Sequence, residues 1–193
     1  MSALPGKTVL ITGANAGIGK EVARQLALRP EIGRIYLACR NKDRAITAKA
    51  ELEAVTGRYT FDIILMDVAD LGSVRRGLAA IDGSIDAVVM NAGVIGPQSM
   101  GLTADAVTAV FATNVLGHVV LLEGLLAEGR LGEVAVFAGS EAVRGVPKLR
   151  MKGPSFVSTS ADELATVIDG SYFASRKPDF NLVPWPETFA RLK

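Results

Sequence analysis

A chain of 193 residues, 49% hydrophobic with a mean hydropathy of +0.32, is long enough to bury a sizeable core as one domain. Its 21 Lys and Arg against 20 Asp and Glu leave a net charge of +1, and no run of one sign stands out, so the composition points away from nucleic acid and membrane surfaces and toward a small-molecule partner. The single cysteine, Cys39, excludes an internal disulfide framework and a thiolate metal cluster, and no basic region precedes an apolar core at the N-terminus, so a soluble, cytoplasmic protein is expected.

Apolar, β-branched runs alternate along the chain with longer amphipathic ones. Strands are predicted near 7–12, 34–39, 59–66, 85–90 and 133–138, and helices near 17–28, 42–54, 71–81 and 104–127. Such a βαβα series implies right-handed crossovers and an α/β fold, a doubly wound parallel sheet with ligands at the carboxyl ends of its strands. The most apolar helix, Val107 to Leu126, is interrupted by Thr113, Asn114, His118 and Glu123, which argues against a membrane span. Beyond Ala138 the pattern changes. Residues 139–160 read as loop, Ser160-Ala161-Asp162-Glu163 as a capping box opening a short helix that stops at Gly170, and Pro178, Pro184 and Pro186 keep the remainder irregular.

Thr12-Gly13-Ala14-Asn15-Ala16-Gly17-Ile18-Gly19 joins the first strand to the first helix. Glycine permits positive φ and close approach, and the helix N-terminus offers free N–H groups, so this loop is suited to hold phosphate; a Gly-rich turn for steric reasons alone is the alternative. Arg40 follows the second strand, where an acid would bond a ribose 2′-hydroxyl and a guanidinium a 2′-phosphate. With Asn41 beside it and no acid, Arg40 favours NADP(H) over NAD(H); a solvated arginine at a helix entrance is the competing reading. Val107, Phe111, Asn114, His118, Leu121 and Leu125 share one predicted helical face, which places an amide on an apolar stripe, either as a structural bracket or as part of a solvent-filled site. His118, the lone histidine, cannot build a metal site and is read as a packed helix residue.

The spacing T-G-x-x-x-G-I-G resembles that of the short-chain dehydrogenase/reductase family, and further segments follow in the same order. The resemblance implies a Rossmann-type fold, with Gly13, Asn15, Ala16, Gly17, Ile18 and Gly19 at the cofactor phosphates. Asp67-Val68, after the third strand, matches the family's adenine contact, with a carboxylate that merely caps the turn as an equal alternative. Asn91-Ala92-Gly93 resembles the N-A-G motif bordering the cofactor. Thr113-Asn114-Val115-Leu116-Gly117-His118 resembles the active-site asparagine segment, in which Asn114 would help hold a water of a proton relay. Ser140 matches the serine that orients a substrate carbonyl.

The family's Tyr-x-x-x-Lys is not intact here. Tyr172-Phe173-Ala174-Ser175-Arg176 has the tyrosine but not the lysine, and Phe189-Ala190-Arg191-Leu192-Lys193 the lysine but not the tyrosine. Both lie later than in ordinary members, as in carbonyl reductase-like and protochlorophyllide reductase-like relatives with an insertion before the tyrosine. The Phe189/Lys193 register is favoured by the Pro-rich approach to it; Lys193 would then bind the ribose, and Tyr172 is the one nearby acid. The resemblance covers the chain from Thr12 to Lys193 and then stops, so the expectation is one domain over 1–193, with an irregular insertion-like segment at 139–188 and a sheet incomplete on its C-terminal side. An unprotected fifth strand would favour homo-oligomers or other association. The implied activity is hydride transfer between NADP(H) and a carbonyl or alcohol substrate, impaired by truncation and Phe189; the alternatives are a non-catalytic NADP-binding module and an inactive fragment of a longer reductase.

Overall fold

Successive side chains of a strand point to opposite faces, and Val9, Leu10 and Ile11 are all buried, so the first strand is covered on both sides. The computed structural model describes residues 6–140, 145–146, 151–152 and 160–171. It divides the chain into two compact units, Met1–Ala138 and Gly139–Lys193, at the point where the sequence pattern changes.

The first unit runs β1 (Lys7–Thr12), α1 (Gly17–Ala27), β2 (Ile32–Cys39), α2 (Lys42–Thr56), β3 (Phe61–Leu65), α3 (Leu71–Ala79), β4 (Ile85–Met90), α4 (Ala109–Phe111), a π-helical turn (Ala112–Leu116), α5 (Gly117–Ala127) and β5 (Leu131–Phe137). The five strands form one parallel sheet in the order β3-β2-β1-β4-β5, with Val9 opposite Ile35 on one side and Leu10 opposite Val88 on the other. The chain winds outward from β1 to β3 and then returns to β4, so the order reverses between β1 and β4. In an open α/β sheet the crevice at the carboxyl ends of such a pair is where ligands bind.

Two apolar layers cover the sheet. Val9, Ile11, Ile35 and Leu37 pack with Ala23, Ala27, Ala45 and Leu52 of α1 and α2, while Leu10, Tyr36 and Val88 pack with Val74, Leu78, Leu121 and Leu125 of α3 and α5. Each fully buried Leu, Ile or Val contributes about 1.5–3 kcal/mol relative to exposure. Helix ends follow local chemistry. Asn41 accepts from the Arg44 N–H at 2.9 Å to open α2, Gly57 closes it at φ 64°, and Asp70 accepts from the Ser73 N–H at 3.0 Å to open α3. Arg130 donates to the carbonyls of Leu78, Ile81 and Gly83 at 3.2, 2.6 and 2.8 Å, closing the end of α3 from the start of β5.

The helix expected over 104–127 starts instead at Ala109. Ala106 has φ 58° and the Thr103 N–H bonds the Val107 carbonyl at 2.8 Å, so the preceding residues form a turn. Ala109–Ala127, with a hydropathy of 1.7, is long and apolar enough to cross a membrane by length and composition alone. In this fold its Leu121 and Leu125 belong to the core. β5 forms one edge of the sheet, and Val134, Val136 and Phe137 are 45%, 47% and 51% exposed.

In the second unit, β6 (Gly145–Val146) and β7 (Met151–Lys152) pair antiparallel inside the stretch read as loop, a pairing too short to leave a periodic signal. The expected cap is present: Ser160 Oγ accepts from the Glu163 N–H at 3.2 Å at the head of α6 (Ala161–Ile168), and Gly170 follows with φ 82°.

Candidate functional site

The loop after β1 is shaped by its glycines for different reasons. Gly13 and Gly17 have φ of 67° and 54°, and a Cβ on Gly17 would meet nothing within 4 Å, so conformation alone selects glycine there. A Cβ on Gly19 would lie 2.5 Å from Asn91 Nδ2 and 2.6 Å from the Gly13 carbonyl oxygen, so space selects it. The Gly13 N–H bonds the Ala38 carbonyl at 2.9 Å, carrying the β1–β2 pairing into the loop. Ala16 precedes α1 without a side-chain cap, and no acid stands in the first turn, which leaves the helix N-terminus open to an anion. Ala14 is buried, whereas Ala16 and Ile18 project into solvent, Ile18 at 75% exposure, with Asn15 between them half-buried. Under the loop, burial pushes the Cys39 thiol up to about 11, opposed by hydrogen bonds from the Ala14 and Asn15 backbone, so this is no reactive thiolate.

Thr12 joins the loop to β4. Its Oγ1 accepts from the N–H groups of Asn91 and Ala92 at 2.9 and 3.0 Å, and its carbonyl accepts from Asn91 Nδ2 at 3.0 Å. Asn114, in the π-helical turn, clamps the next stretch: Oδ1 accepts from the Val94 N–H at 2.8 Å and Nδ2 donates to the Val94 carbonyl at 2.9 Å. Its side chain is therefore engaged as a bracket on the chain beyond Asn91-Ala92-Gly93. A π turn inserts one residue into a helix and is frequent at functional sites. Gly93 itself is exposed beside that clamp, 3.6 Å separating the position of a Cβ from Asn114 Oδ1.

Along the same rim, Arg40 is exposed and none of the ion pairs among the described residues engages it, while its neighbour Asn41 caps α2. Asp67 Oδ1 accepts from the Ala69 N–H at 3.0 Å, the Val68 side chain lies in the core, and the Val68 backbone packs against Gly117 of α5.

The pattern that defines the short chain dehydrogenase family matches residues 7–148. The chain belongs to this family. Among short chain dehydrogenase relatives, it is 41% identical over 127 residues to retinol dehydrogenase 11 of Mus musculus, covering 64% of this chain and 39% of that protein. It thus spans well under half the length of that relative. The bulky-bulky ketone specific alcohol dehydrogenase from Comamonas testosteroni superposes with a TM-score of 0.58 at 28% identity, over 77% of this chain and 60% of that one. L-sorbose reductase from Gluconobacter frateurii, complexed with NADPH and L-sorbose, gives a TM-score of 0.59 at 25% identity, over 77% and 57% of the two chains.

The structure brings together the loop residues Gly13 to Gly19, Asn91, Ala92, Gly93 and Asn114 in the first unit, at the carboxyl ends of β1 and β4. Ser140 lies in the second unit and is exposed. Tyr172 and Lys193, with Arg176 and Phe189, lie outside the described residues. Sequence reasoning gave no role to Thr12, which ties the two strand ends together, or to Val94. The signal for Thr12 was present, a hydroxyl ending an otherwise apolar strand, but its partners are 79 and 80 residues away.

Proposed function

We propose that the chain carries the cofactor-binding part of an NADP(H)-dependent oxidoreductase acting on a carbonyl or alcohol substrate. The observation that carries this reading is the open N-terminus of α1 under a loop with two glycines at positive φ, braced against Asn91 through Thr12. Gly13, Asn15, Ala16, Gly17, Ile18 and Gly19 would hold the pyrophosphate on backbone N–H groups. Arg40, exposed and in no ion pair among the described residues, suits a 2′-phosphate, and the Asp67-Val68 turn suits the adenine. Asn91, Ala92 and Gly93 would border the nicotinamide, which supplies or takes the hydride when bound. The relatives' names, a retinol dehydrogenase, a ketone-specific alcohol dehydrogenase and a sorbose reductase, support a carbonyl/alcohol pair.

In this reading Ser140 orients the carbonyl, Asn114 contributes to the proton relay, Lys193 holds the ribose and Tyr172 is the available acid. Calorimetric titration with NADPH and NADH, followed by turnover of aldehydes and ketones, tests it. Tighter NADPH binding with turnover supports the whole reading; a folded chain that binds neither nucleotide removes it. The lack of an intact Tyr-x-x-x-Lys favours a second reading, a non-catalytic NADP-binding module. Phe189→Tyr separates the two, since a missing general acid costs about 10²–10⁴ in rate and its return should create activity only on a complete scaffold.

A further inference from the structure

His118 is 1% exposed, and neither the phosphate loop nor the relay uses it. Its Nε2 stands 2.9 Å from Thr12 Oγ1, its ring meets Phe137 edge-on at 5.9 Å, and its buried Nδ1 closes no hydrogen bond of normal geometry among the described residues, the Asn114 backbone being the group that favours a proton there. The hydrogen bonds of Thr12 decide the protonation of this ring. A hydroxyl has two lone pairs and one hydrogen, and the N–H groups of Asn91 and Ala92 face both lone pairs, the Asn91 N–H sharing its hydrogen between this oxygen at 2.9 Å and the Val89 carbonyl at 3.1 Å. The hydrogen has two acceptors in range, the Val89 carbonyl at 3.5 Å and His118 Nε2 at 2.9 Å. A hydrogen on Nε2 would add a third donor to a filled oxygen and leave the hydroxyl only the 3.5 Å contact. Nε2 is therefore the bare acceptor, and the neutral ring carries its hydrogen on Nδ1.

We propose that His118 is a positioning residue of the cofactor cleft. By taking the Thr12 hydroxyl hydrogen it turns both lone pairs of that oxygen onto Asn91 and Ala92, and so fixes the N-A-G turn against the glycine loop. The hydrogen-bond chain runs from α5 through β1 to the end of β4. The groups recorded against the ring are the Thr12 hydroxyl on β1, the Phe137 ring on β5 and the Asn114 backbone in the π turn, and none of them is charged. The benefit to NADPH binding rests on the function proposed above; the ring's tautomer and its hold on the turn do not.

Because these 193 residues hold one histidine, nitrogen NMR of the labelled 193-residue chain reads this ring without ambiguity. The expected signal at neutral pH is a bare Nε2 with a protonated Nδ1; the opposite tautomer or an imidazolium would overturn the proposal. Amide hydrogen exchange then reads the turn. His118→Leu, which leaves the hydroxyl without its acceptor, should speed exchange at Asn91 and Ala92 by about tenfold more than at Leu37, and His118→Gln, with an acceptor oxygen, should restore most of it. Equal acceleration at all three amides, or no rescue by glutamine, refutes the positioning role. Should His118→Leu fail to fold, the same comparison is made within the wild type by lowering the pH until the ring protonates, and unchanged relative exchange at Asn91 and Ala92 again refutes it. NADPH affinity measured on the same samples should fall with the exchange protection. A wild type with the expected tautomer and protected turn that binds no NADPH refutes the cofactor assignment instead.

Discussion

Asn114 holds the backbone of Val94 at both ends, through an accepted bond of 2.8 Å and a donated one of 2.9 Å. Removing the amide strands a backbone N–H and a carbonyl in a half-buried turn, at about 1–3 kcal/mol for each group left without a partner. Asn114→Ala is expected to lower stability by about 2–4 kcal/mol in urea denaturation. A loss under about 0.5 kcal/mol, the size of an ordinary surface change, would mean that the clamp is not maintained in solution.

A Cβ on Gly117 would lie 1.8 Å from the Val68 carbonyl oxygen, a backbone atom that cannot swing away. Gly117→Ala should therefore push α5 off the Asp67-Val68 turn, costing at least about 1–3 kcal/mol and weakening nucleotide binding as well. Gly17→Ala is the contrasting case, with open space but positive φ, and should cost about 1–2 kcal/mol with no displacement of the turn. Thermal unfolding of both variants beside NADPH titration distinguishes them.

Burial lowers the His118 pKa from its ordinary 6.5, with the Asn114 backbone opposing in part. The unfolded chain then binds the proton more readily than the folded one, so this contribution to stability is complete above pH 6.5 and is lost as pH falls from there through the lowered folded value. Urea midpoints should be level above that pH and fall below it, and His118→Gln should flatten this part of the profile. A wild-type midpoint that rises on acidification through the window contradicts the buried neutral ring.

Much of the first unit was legible because its signals are local. Val9, Leu10 and Ile11 lie in an apolar run that announces a buried strand, the amphipathic runs after it announce α1, α2 and α3, and the glycines from Gly13 to Gly19 mark the loop between β1 and α1. The π turn was hidden, since Val107 to Leu125 keep an apolar rhythm through it and one inserted residue changes no composition. The start at Ala109 depends on the conformation of Ala106, a residue type that favours helix elsewhere. Thr12 was opaque for another reason: Asn91, Ala92 and His118 reach it from 79, 80 and 106 residues away.

Arg40 follows β2 and forms no ion pair among the described residues, and the proposed function gives its charge to a 2′-phosphate. Arg40→Ala should reduce NADPH affinity by about tenfold or more while leaving NADH nearly unchanged, as expected when one charge-assisted contact of about 1.5–3 kcal/mol is removed. Titration with both nucleotides reads the ratio; equal losses for the two would place Arg40 away from the 2′ position.

β5 is an edge strand of the described sheet, with Val134 and Val136 exposed on one face beside it, a combination that invites strand pairing between copies. Concentration-dependent association should appear in sedimentation velocity, and Val134→Lys should suppress it without lowering the unfolding midpoint by more than about 0.5 kcal/mol equivalent. Association unaffected by that charge would move the contact to another surface.

Arg130 stands where the chain turns into β5, yet its guanidinium is bound to carbonyls 47, 49 and 52 residues earlier. Among the described residues the outermost strand is thus held at its start by a side chain bound to backbone, and at its far end by the ladder to β4, the bond from the Ala138 N–H to the Met90 carbonyl and the edge-on contact of Phe137 with His118. The far end of the strand therefore shares its hold with the end of β1, since the ring that meets Phe137 is the one at Thr12.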